Sequence, residues 1–156
     1  MRMRAAWPAL RCTLRGRAAY ARLVCRGRLR PSSVTRAYDI AVAYRLGAAP
    51  LALVEQPALI GRADQGEIPH TYVADEYGPL RPCLYYPRDG DWSEDRALAW
   101  TIIPWLLEWL VEYEVWLVTG EWCGGGVAHA GQAVGDHDTR TLGDGAPTVT
   151  GEAAHD

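Results

Sequence analysis

The sequence predicts an α+β fold, because one segment has the periodicity of a strand and a longer one has the periodicity of a helix. Residues 37–44 alternate larger and smaller side chains with a two-residue period, which is typical of a half-buried strand. Residues 93–119 carry apolar side chains at helical spacing on two adjacent faces. About half of the 156 residues are hydrophobic and seven are tryptophan, so we expect a single globular domain with a sizeable core.

A helix is predicted over residues 9–22, before the first strand. Pro8 suits the first turn of a helix, and Leu10 and Leu14 lie on one side of it, although Gly16 is a weak interior residue. We therefore expect a short N-terminal helix.

The same N-terminal segment is strongly basic. Residues 1–36 carry ten arginines and no acid, whereas residues 37–156 carry six arginines and nineteen acids. A basic arm of this kind, here residues 1–22, can mark a nucleic-acid surface, an anionic-membrane surface or a targeting peptide. No long apolar core accompanies the arginines, which argues against a targeting peptide. We expect a solvated helix face, with neither a nucleic-acid nor a membrane partner.

Three strands are predicted in the first third of the chain, at residues 23–29, 37–44 and 51–55. Residues 46–50 have the composition of a hairpin connection between the last two. We expect an antiparallel meander of four strands, followed by loops around the short aromatic segment at residues 83–86.

The predicted long helix has start and stop signals. Ser93 is a suitable N-cap with acidic residues in the turn that follows, and Gly120 is a suitable left-handed stop. Pro104 is expected to kink or divide the helix, because proline removes a backbone donor. The tryptophans within it are expected to be core residues.

Missing residue types exclude several chemistries. All sixteen basic residues are arginine, and the chain has no lysine and no asparagine. Schiff-base enzymes and Walker-A phosphate loops both need a lysine amine, so neither class fits this chain.

The four cysteines are Cys12, Cys25, Cys83 and Cys123, and no two are close enough in sequence to suggest a zinc site. A chain with this aromatic content does not need disulfides, so we expect reduced cysteines, a cytoplasmic protein, and neither a metal nor a cofactor. Residues 97–118 are the one candidate membrane segment. They contain a proline and three glutamates, so a buried soluble helix is expected instead.

Cys83 is the first candidate nucleophile. Arg81 and Arg88 lie close to it in sequence and are expected to favour its thiolate, while His70 lies thirteen residues upstream. The competing interpretation is a buried cysteine beside the aromatic side chains.

Cys123 is the second candidate nucleophile. It precedes three glycines, and His129 lies six residues further on, a pattern compatible with a cysteine hydrolase whose backbone amides approach an oxyanion. The simpler interpretation is that the glycines release the chain from its last helix.

Short motifs between residues 70 and 93 resemble the active-site segment of ubiquitin-conjugating enzymes. That segment has a histidine turn, a glycine turn, a cysteine–leucine pair and a tryptophan that leads into a helix. The matching motifs here are His70-Thr71-Tyr72, Gly78, Cys83-Leu84-Tyr85-Tyr86-Pro87 and Gly90-Asp91-Trp92-Ser93.

The downstream residues look more specifically like the stand-alone bacterial members of that superfamily, which occur in antiphage operons of the cyclic-oligonucleotide (CBASS) type. The resemblance covers residues 23–126. The matching downstream motifs are Thr101-Ile102-Ile103-Pro104-Trp105, Glu108-Trp109-Leu110, Tyr113-Glu114, Trp116-Leu117, Thr119-Gly120-Glu121-Trp122 and Gly124-Gly125-Gly126.

The resemblance implies a ubiquitin-conjugating-enzyme-like fold and a thioester-forming enzyme. Cys83 would accept the C-terminus of a partner protein as a thioester and transfer it to an amine on a protein or small molecule. The implied partner is the nucleotidyltransferase of the operon, which is a cyclic-oligonucleotide synthase. The implied supporting residues are His70, Tyr72, Tyr85 and Trp92.

One departure from the family pattern leaves the oxyanion donor open. The eukaryotic enzymes place an asparagine two residues after the turn histidine, where this chain has Tyr72. The candidate donors are the backbone amides around Cys83 and the hydroxyl of Tyr72 or Thr71. The alternative to an enzyme is a non-catalytic adapter of the same fold that only binds the synthase.

The composition changes near residue 130, where glycine, alanine, aspartate and threonine come to dominate. We therefore predict a domain at residues 1–129 and a disordered tail at residues 130–156.

Overall fold

The chain folds around a four-stranded antiparallel sheet that packs against one long helix. The computed structural model describes residues 2–72, 80–86 and 90–124. The sheet holds β1 (Arg11–Arg15), β2 (Arg22–Leu29), β3 (Tyr38–Arg45) and β4 (Leu51–Gln56), side by side in chain order. The helices are α1 (Arg2–Ala6) and α2 (Ile102–Thr119). The predicted α+β class, four-stranded meander and C-terminal helix are confirmed.

Strands β2, β3 and β4 lie within one residue of their predicted ends. The two-residue period of β3 places Ile40 and Val42 on the helix side of the sheet, where both are buried. The direct partners of Val42 on β2 and β4, Cys25 and Ala52, are buried too. Because one face is buried, the apolar alternation fixes the strand register.

Strand β1 comes from the segment predicted to be a helix, so that prediction is wrong. Residues 9–22 contain β1, a turn at Gly16 and a 3₁₀ turn (Ala18–Tyr20). Gly16 has a φ of +81°, and a Cβ there would lie 2.5 Å from the Tyr20 carbonyl oxygen, so the turn requires glycine. Pairing with β2 satisfies the backbone of β1 and overrides a weak helical pattern.

Cys12 and Cys25 form a disulfide, so the expectation of four reduced cysteines is wrong. The β1–β2 register makes these residues direct partners, and their Cα atoms are 3.9 Å apart. The hairpin between them brings together two cysteines that are thirteen residues apart in sequence. Cys83 and Cys123 are not disulfide-bonded.

Helix α2 begins nine residues after the predicted N-cap. The Ser93 hydroxyl contacts the Asp95 carboxylate, and a 3₁₀ turn (Leu98–Trp100) precedes the helix. Pro104 therefore lies in the first turn of α2, where its missing N–H breaks no helical hydrogen bond. Helix α2 is one continuous element, so Pro104 does not divide it.

The sheet and α2 share one core. Burying a large apolar side chain contributes about 1.5–3 kcal/mol, so this contact dominates the stability of the fold. The core residues are Ile102, Ile103, Leu106, Trp109, Leu110, Tyr113 and Trp116 from α2, and Leu29, Tyr38, Ile40, Val42 and Ala52 from the sheet.

The predicted C-terminal stop of α2 is confirmed. Gly120 has a φ of +81°, and its N–H donates to the Trp116 carbonyl oxygen at 2.8 Å.

No helix in the described part of the chain is long and apolar enough to cross a bilayer. One of the glutamates on α2, Glu114, has a structural role: it accepts hydrogen bonds from the Tyr38 hydroxyl at 2.8 Å and from the Arg36 amide at 3.0 Å. This carboxylate therefore ties α2 to the start of β3.

Two further strands lie outside the main sheet and position the candidate nucleophile. Strands β5 (Thr71–Tyr72) and β6 (Arg81–Pro82) pair antiparallel, and β6 also contacts β4. Cys83 is the residue that follows β6. The short ladder therefore holds Cys83 close to the edge of the main sheet.

The substitution Gly27→Ala tests how closely the N-terminal segment packs against β2. A Cβ at Gly27 would overlap the Ala9 carbonyl oxygen and lie 3.0 Å from a methyl group of the buried Leu10. We expect Gly27→Ala to lower the free energy of unfolding by about 3 kcal/mol in urea titrations.

The control for this prediction is Gly47→Ala. Gly47 has open space around its Cα but a φ of +76°, so alanine there should cost about 1 kcal/mol from backbone strain alone. Equal losses of stability in the two variants would contradict the close packing of Ala9 on β2.

Candidate active site

Cys83 is held by a backbone hydrogen bond that extends the β5–β6 ladder. Its N–H donates to the carbonyl oxygen of His70 at 2.8 Å. The neighbouring ladder pairs are Thr71 with Pro82 and Tyr72 with Arg81. The structure thus brings His70, Tyr72 and Cys83 together, as the sequence motifs suggest.

His70 contributes through its backbone. Its carbonyl oxygen also accepts a hydrogen bond from the Trp109 indole N–H on α2, at 3.0 Å. Its φ of +51° lies in the left-handed region, and its ring packs against Trp122 with 5.2 Å between ring centroids. The residue therefore joins the Cys83 backbone to α2.

The Cys83 thiol is half-buried, and Tyr72 is hydrogen-bonded to it through its side chain. Burial raises the pKa of the Cys83 thiol, and the hydrogen bond with Tyr72 offsets only part of that effect. The Arg81 guanidinium lies over the Tyr72 ring, 5.8 Å from the ring centroid, and its expected effect on the thiolate stays a prediction. Arg88 lies outside the described residues.

The Cys83 amide and the Thr71 hydroxyl, two of the candidate oxyanion donors, are already engaged. The Cys83 amide donates to His70, and the Thr71 hydroxyl donates to the Ile68 carbonyl at 2.8 Å. Tyr72 is the candidate whose side chain contacts the Cys83 thiol. Burial, followed by the hydrogen bond to Cys83, raises the pKa of Tyr72, so its hydroxyl keeps its proton at neutral pH.

Tyr85 and Trp92 form an aromatic cluster beside Cys83. The Tyr85 ring lies 5.8 Å from Trp105 and 6.5 Å from Trp92, and its hydroxyl donates to the Pro50 carbonyl at 3.4 Å. Burial raises the pKa of Tyr85 to about 12. The structure therefore places these two predicted site residues in packing positions that support the Cys83 loop.

A cavity of about 270 Å³ opens next to Cys83. Its carboxylates, Glu108 and Glu112, lie one helical turn apart on α2. One carboxylate oxygen of Glu112 and the Trp122 indole N–H are buried without a hydrogen-bond partner among the described residues. We call this space the acidic cavity, and its lining residues are Cys83, Leu84, Trp105, Glu108, Trp109, Glu112, Trp122 and Gly124.

The acidic cavity was not predicted from the sequence, although a signal was present. Trp105, Glu108, Trp109 and Glu112 follow i, i+3, i+4, i+7 spacing and so lie on one stripe of a helix. Carboxylates that interrupt an apolar stripe indicate a face that is not wholly core. The sequence analysis used both glutamates to exclude a membrane span and Glu108 as part of a family motif, but assigned neither of them to a cavity.

A second cavity, of about 300 Å³, lies between β4 and β6. It is mostly apolar, and Tyr72 lines it. Because Tyr72 is also hydrogen-bonded to Cys83, the thiol region lies between the two cavities. We call this second space the apolar cavity, and its other lining residues are Ala49, Pro50, Leu51, Ala52, Arg81, Pro82, Leu84 and Tyr85.

The rival nucleophile, Cys123, is exposed. Its neighbours Trp122 and Gly124 line the acidic cavity, but Cys123 itself does not. His129, its expected partner, lies outside the described residues, as do the last two glycines of that motif.

The pH dependence of Cys83 alkylation tests the contact with Tyr72. Because the hydrogen bond with Tyr72 lowers the pKa of the thiol, Tyr72→Phe should move the midpoint of the pH–rate profile for iodoacetamide to higher pH. The rate is followed by mass spectrometry of the Cys83 peptide. Tyr85→Phe removes a hydroxyl that contacts Pro50 instead and should leave the midpoint in place; equal shifts in both variants would contradict the assignment.

Comparison with known proteins agrees with the resemblance seen in the sequence. A family model described as "Type II CBASS E2 protein" matches residues 1–130. A search of curated proteins finds no match. Because the family match covers most of the chain, the protein belongs to the Type II CBASS E2 family and has a role in CBASS antiphage defence.

Proposed function

We propose that the protein is a conjugating enzyme that carries the C-terminus of a partner protein as a thioester on Cys83 and transfers it to an amine. The supporting observation is the position of Cys83, a thiol beside one apolar and one acidic cavity. A thiol between two different cavities suits a reaction with two substrates, of which one supplies an acyl group and the other supplies an amine.

In the first step, the acyl group passes from its activating group to the sulfur of Cys83. The Cys83 thiol loses its proton and attacks the carbonyl carbon of an activated C-terminus, an acyl adenylate or a thioester, and the activating group leaves. The raised pKa of the thiol makes Cys83 a weak nucleophile before the donor binds. The apolar cavity offers space for the last residues of the donor beside Tyr72.

The second step transfers the acyl group to nitrogen. A neutral amine attacks the thioester carbonyl, an amide bond forms, the Cys83–acyl bond breaks, and the amine loses a proton. The acidic cavity suits the amine, because its carboxylates attract an ammonium group and accept the proton that is lost. Its tryptophan faces add a favourable cation–π contribution.

The predicted supporting residues have distinct proposed roles. Tyr72 donates to the oxyanion that forms on the acyl carbonyl, in place of the absent asparagine. His70 positions the Cys83 backbone through its carbonyl oxygen. Tyr85 and Trp92 support the loop by packing. Cys83 is the catalytic residue in this proposal, which needs neither a metal nor a cofactor.

The proposed acyl donor is the nucleotidyltransferase of the same operon, by analogy with the family resemblance, and the proposed compartment is the cytoplasm. One observation favours an adapter instead: burial raises the pKa of the Cys83 thiol, which reduces its reactivity in the unbound chain. An adapter would bind the nucleotidyltransferase without forming a covalent adduct, so adduct formation distinguishes the two functions.

Cys83→Ala tests the catalytic assignment. Co-expression of the wild-type chain with its operon partners, which supply the nucleotidyltransferase and the activation of its C-terminus, should give higher-mass forms of the nucleotidyltransferase on denaturing gels, and Cys83→Ala should abolish them. Cys123→Ala is the matched control and should leave the adducts unchanged, since Cys123 does not line either cavity described above. Persistence of the adducts in Cys83→Ala would overturn the assignment.

Glu112→Gln and Glu108→Gln test the acidic cavity as the amine site. Both substitutions keep the side-chain size and remove a negative charge, so each should slow discharge of the thioester to a free amine by about tenfold or more. Formation of the thioester should not change. The exposed Glu121, which does not line the cavity, provides the control Glu121→Gln; a similar loss in this control would contradict a local role for the cavity.

A further inference from the structure

The face of the sheet opposite the core is rich in arginine. Direct cross-strand partners point to the same face, and the register pairs Arg15 with Arg22 and Arg22 with Arg45. These three exposed arginines form a continuous row across β1, β2 and β3, which we call the arginine row. The arrangement arises because β1 is a strand and not the predicted helix.

Like charges directly opposite each other destabilise a sheet, and adjacent strands are only about 4.8 Å apart. Within the described residues, no salt bridge joins any member of the arginine row to a carboxylate. Glu94 contacts this end of β3, where it accepts a hydrogen bond from the Gly47 amide. The three positive charges of the arginine row therefore lie next to one another without an ion pair among the described residues.

Two other arginines on the same face are paired with acids. Arg26 donates to Glu55 at 2.8 Å, and Arg28 donates to Asp39 at 3.0 Å. Arg11, the cross-strand partner of Arg26, is also exposed on this face and forms no salt bridge among the described residues. Arg11 therefore lies beside an ion-paired arginine, whereas the arginine row places three arginines without an ion pair next to one another.

A concave site adjoins the arginine row. A cavity of about 390 Å³ is lined by Tyr20, Arg22 and Arg45, together with small apolar side chains such as Ala43 and Leu51. Tyr20 is 81% exposed, which is unusual for a large aromatic side chain that lines a cavity. The site therefore combines guanidinium groups, an accessible aromatic ring and an apolar floor.

We propose that the arginine row and Tyr20 bind single-stranded nucleic acid. Guanidinium groups form bidentate hydrogen bonds with phosphate oxygens, and a row of them follows a strand of successive phosphates. An exposed tyrosine offers a stacking surface for a base, and base–aromatic stacking is tolerant of sequence. A carboxylate-rich protein segment would use the charge of the row but not the aromatic ring. This site is on the sheet face away from α2 and does not depend on the proposed conjugating activity.

The experiment measures binding of the full-length chain to a fluorescein-labelled single-stranded DNA oligonucleotide by fluorescence anisotropy over a range of salt concentrations. We expect binding that weakens as salt rises. The double variant Arg22→Thr/Arg45→Thr should bind at least about tenfold more weakly, and its slope of log affinity against log salt should fall by about 1.4, or 0.7 for each lost phosphate contact. Tyr20→Ala should weaken binding at every salt concentration without changing the slope.

The matched control is Arg26→Thr/Arg28→Thr, which removes the same charge from the same face where the arginines are already ion-paired. It should change the affinity by less than about threefold. Equal weakening by both double variants, or no binding of the wild-type chain at low salt, would overturn the proposal. Displacement of the oligonucleotide by poly-glutamate at equal charge concentration, with no effect of Tyr20→Ala, would also overturn it in favour of an acidic protein partner.

A folding control keeps the result interpretable. Threonine is favourable in strands and the substitution relieves like-charge repulsion, so Arg22→Thr/Arg45→Thr should melt at the wild-type temperature or above it at low salt. If the double variant binds weakly and its melting temperature is unchanged or raised, the result supports the proposal. If the double variant binds weakly because it is unfolded, and the single variant Arg45→Thr binds as well as the wild-type chain, the result contradicts the proposal.

Discussion

The carbonyl oxygen of His70 is the acceptor on which the geometry of the site depends. It accepts one hydrogen bond from the Cys83 amide and another from the Trp109 indole. Trp109 is a buried residue of α2 and belongs to the core, so the core fixes its position. The main sheet and α2 thereby hold Cys83 in place, although Cys83 lies in a connecting segment outside both.

Helix α2 has two functions that lie on adjacent faces. One face supplies most of the core, and the neighbouring stripe supplies the carboxylates and tryptophans of the acidic cavity. Trp109 belongs to both sets, so stability and site geometry are coupled through one side chain. Glu112 and Trp122 each have a buried polar side-chain atom without a hydrogen-bond partner among the described residues, although a well-packed core lies beside them. Both residues line the acidic cavity, where a bound group could form the missing hydrogen bonds.

The sequence predicted the elements with strong periodicity and missed those decided by tertiary pairing. Strand β3 and the C-terminal stop of α2 were predicted within one residue, because a two-residue period and a glycine stop are local signals. Strand β1 was missed because its hydrogen bonds come from β2, and the Cys12–Cys25 disulfide was missed for the same reason. The motif around Cys83 was enough to suggest the family. The acidic cavity also contains Trp122, which follows α2 in the chain, and the sequence pattern alone does not show that Trp122 lies near Cys83.

The most direct test of the proposed mechanism is peptide mapping of the full-length chain after co-expression with its operon partners, which supply the nucleotidyltransferase and the activation of its C-terminus, under conditions that preserve thioesters. The proposal predicts a Cys83 peptide whose mass is increased by the C-terminal peptide of the nucleotidyltransferase minus one water, and hydroxylamine should release that adduct. An unmodified Cys83 in a chain that still binds the nucleotidyltransferase would contradict the conjugating mechanism and support the adapter. An adduct on Cys123 would contradict the assignment of the nucleophile.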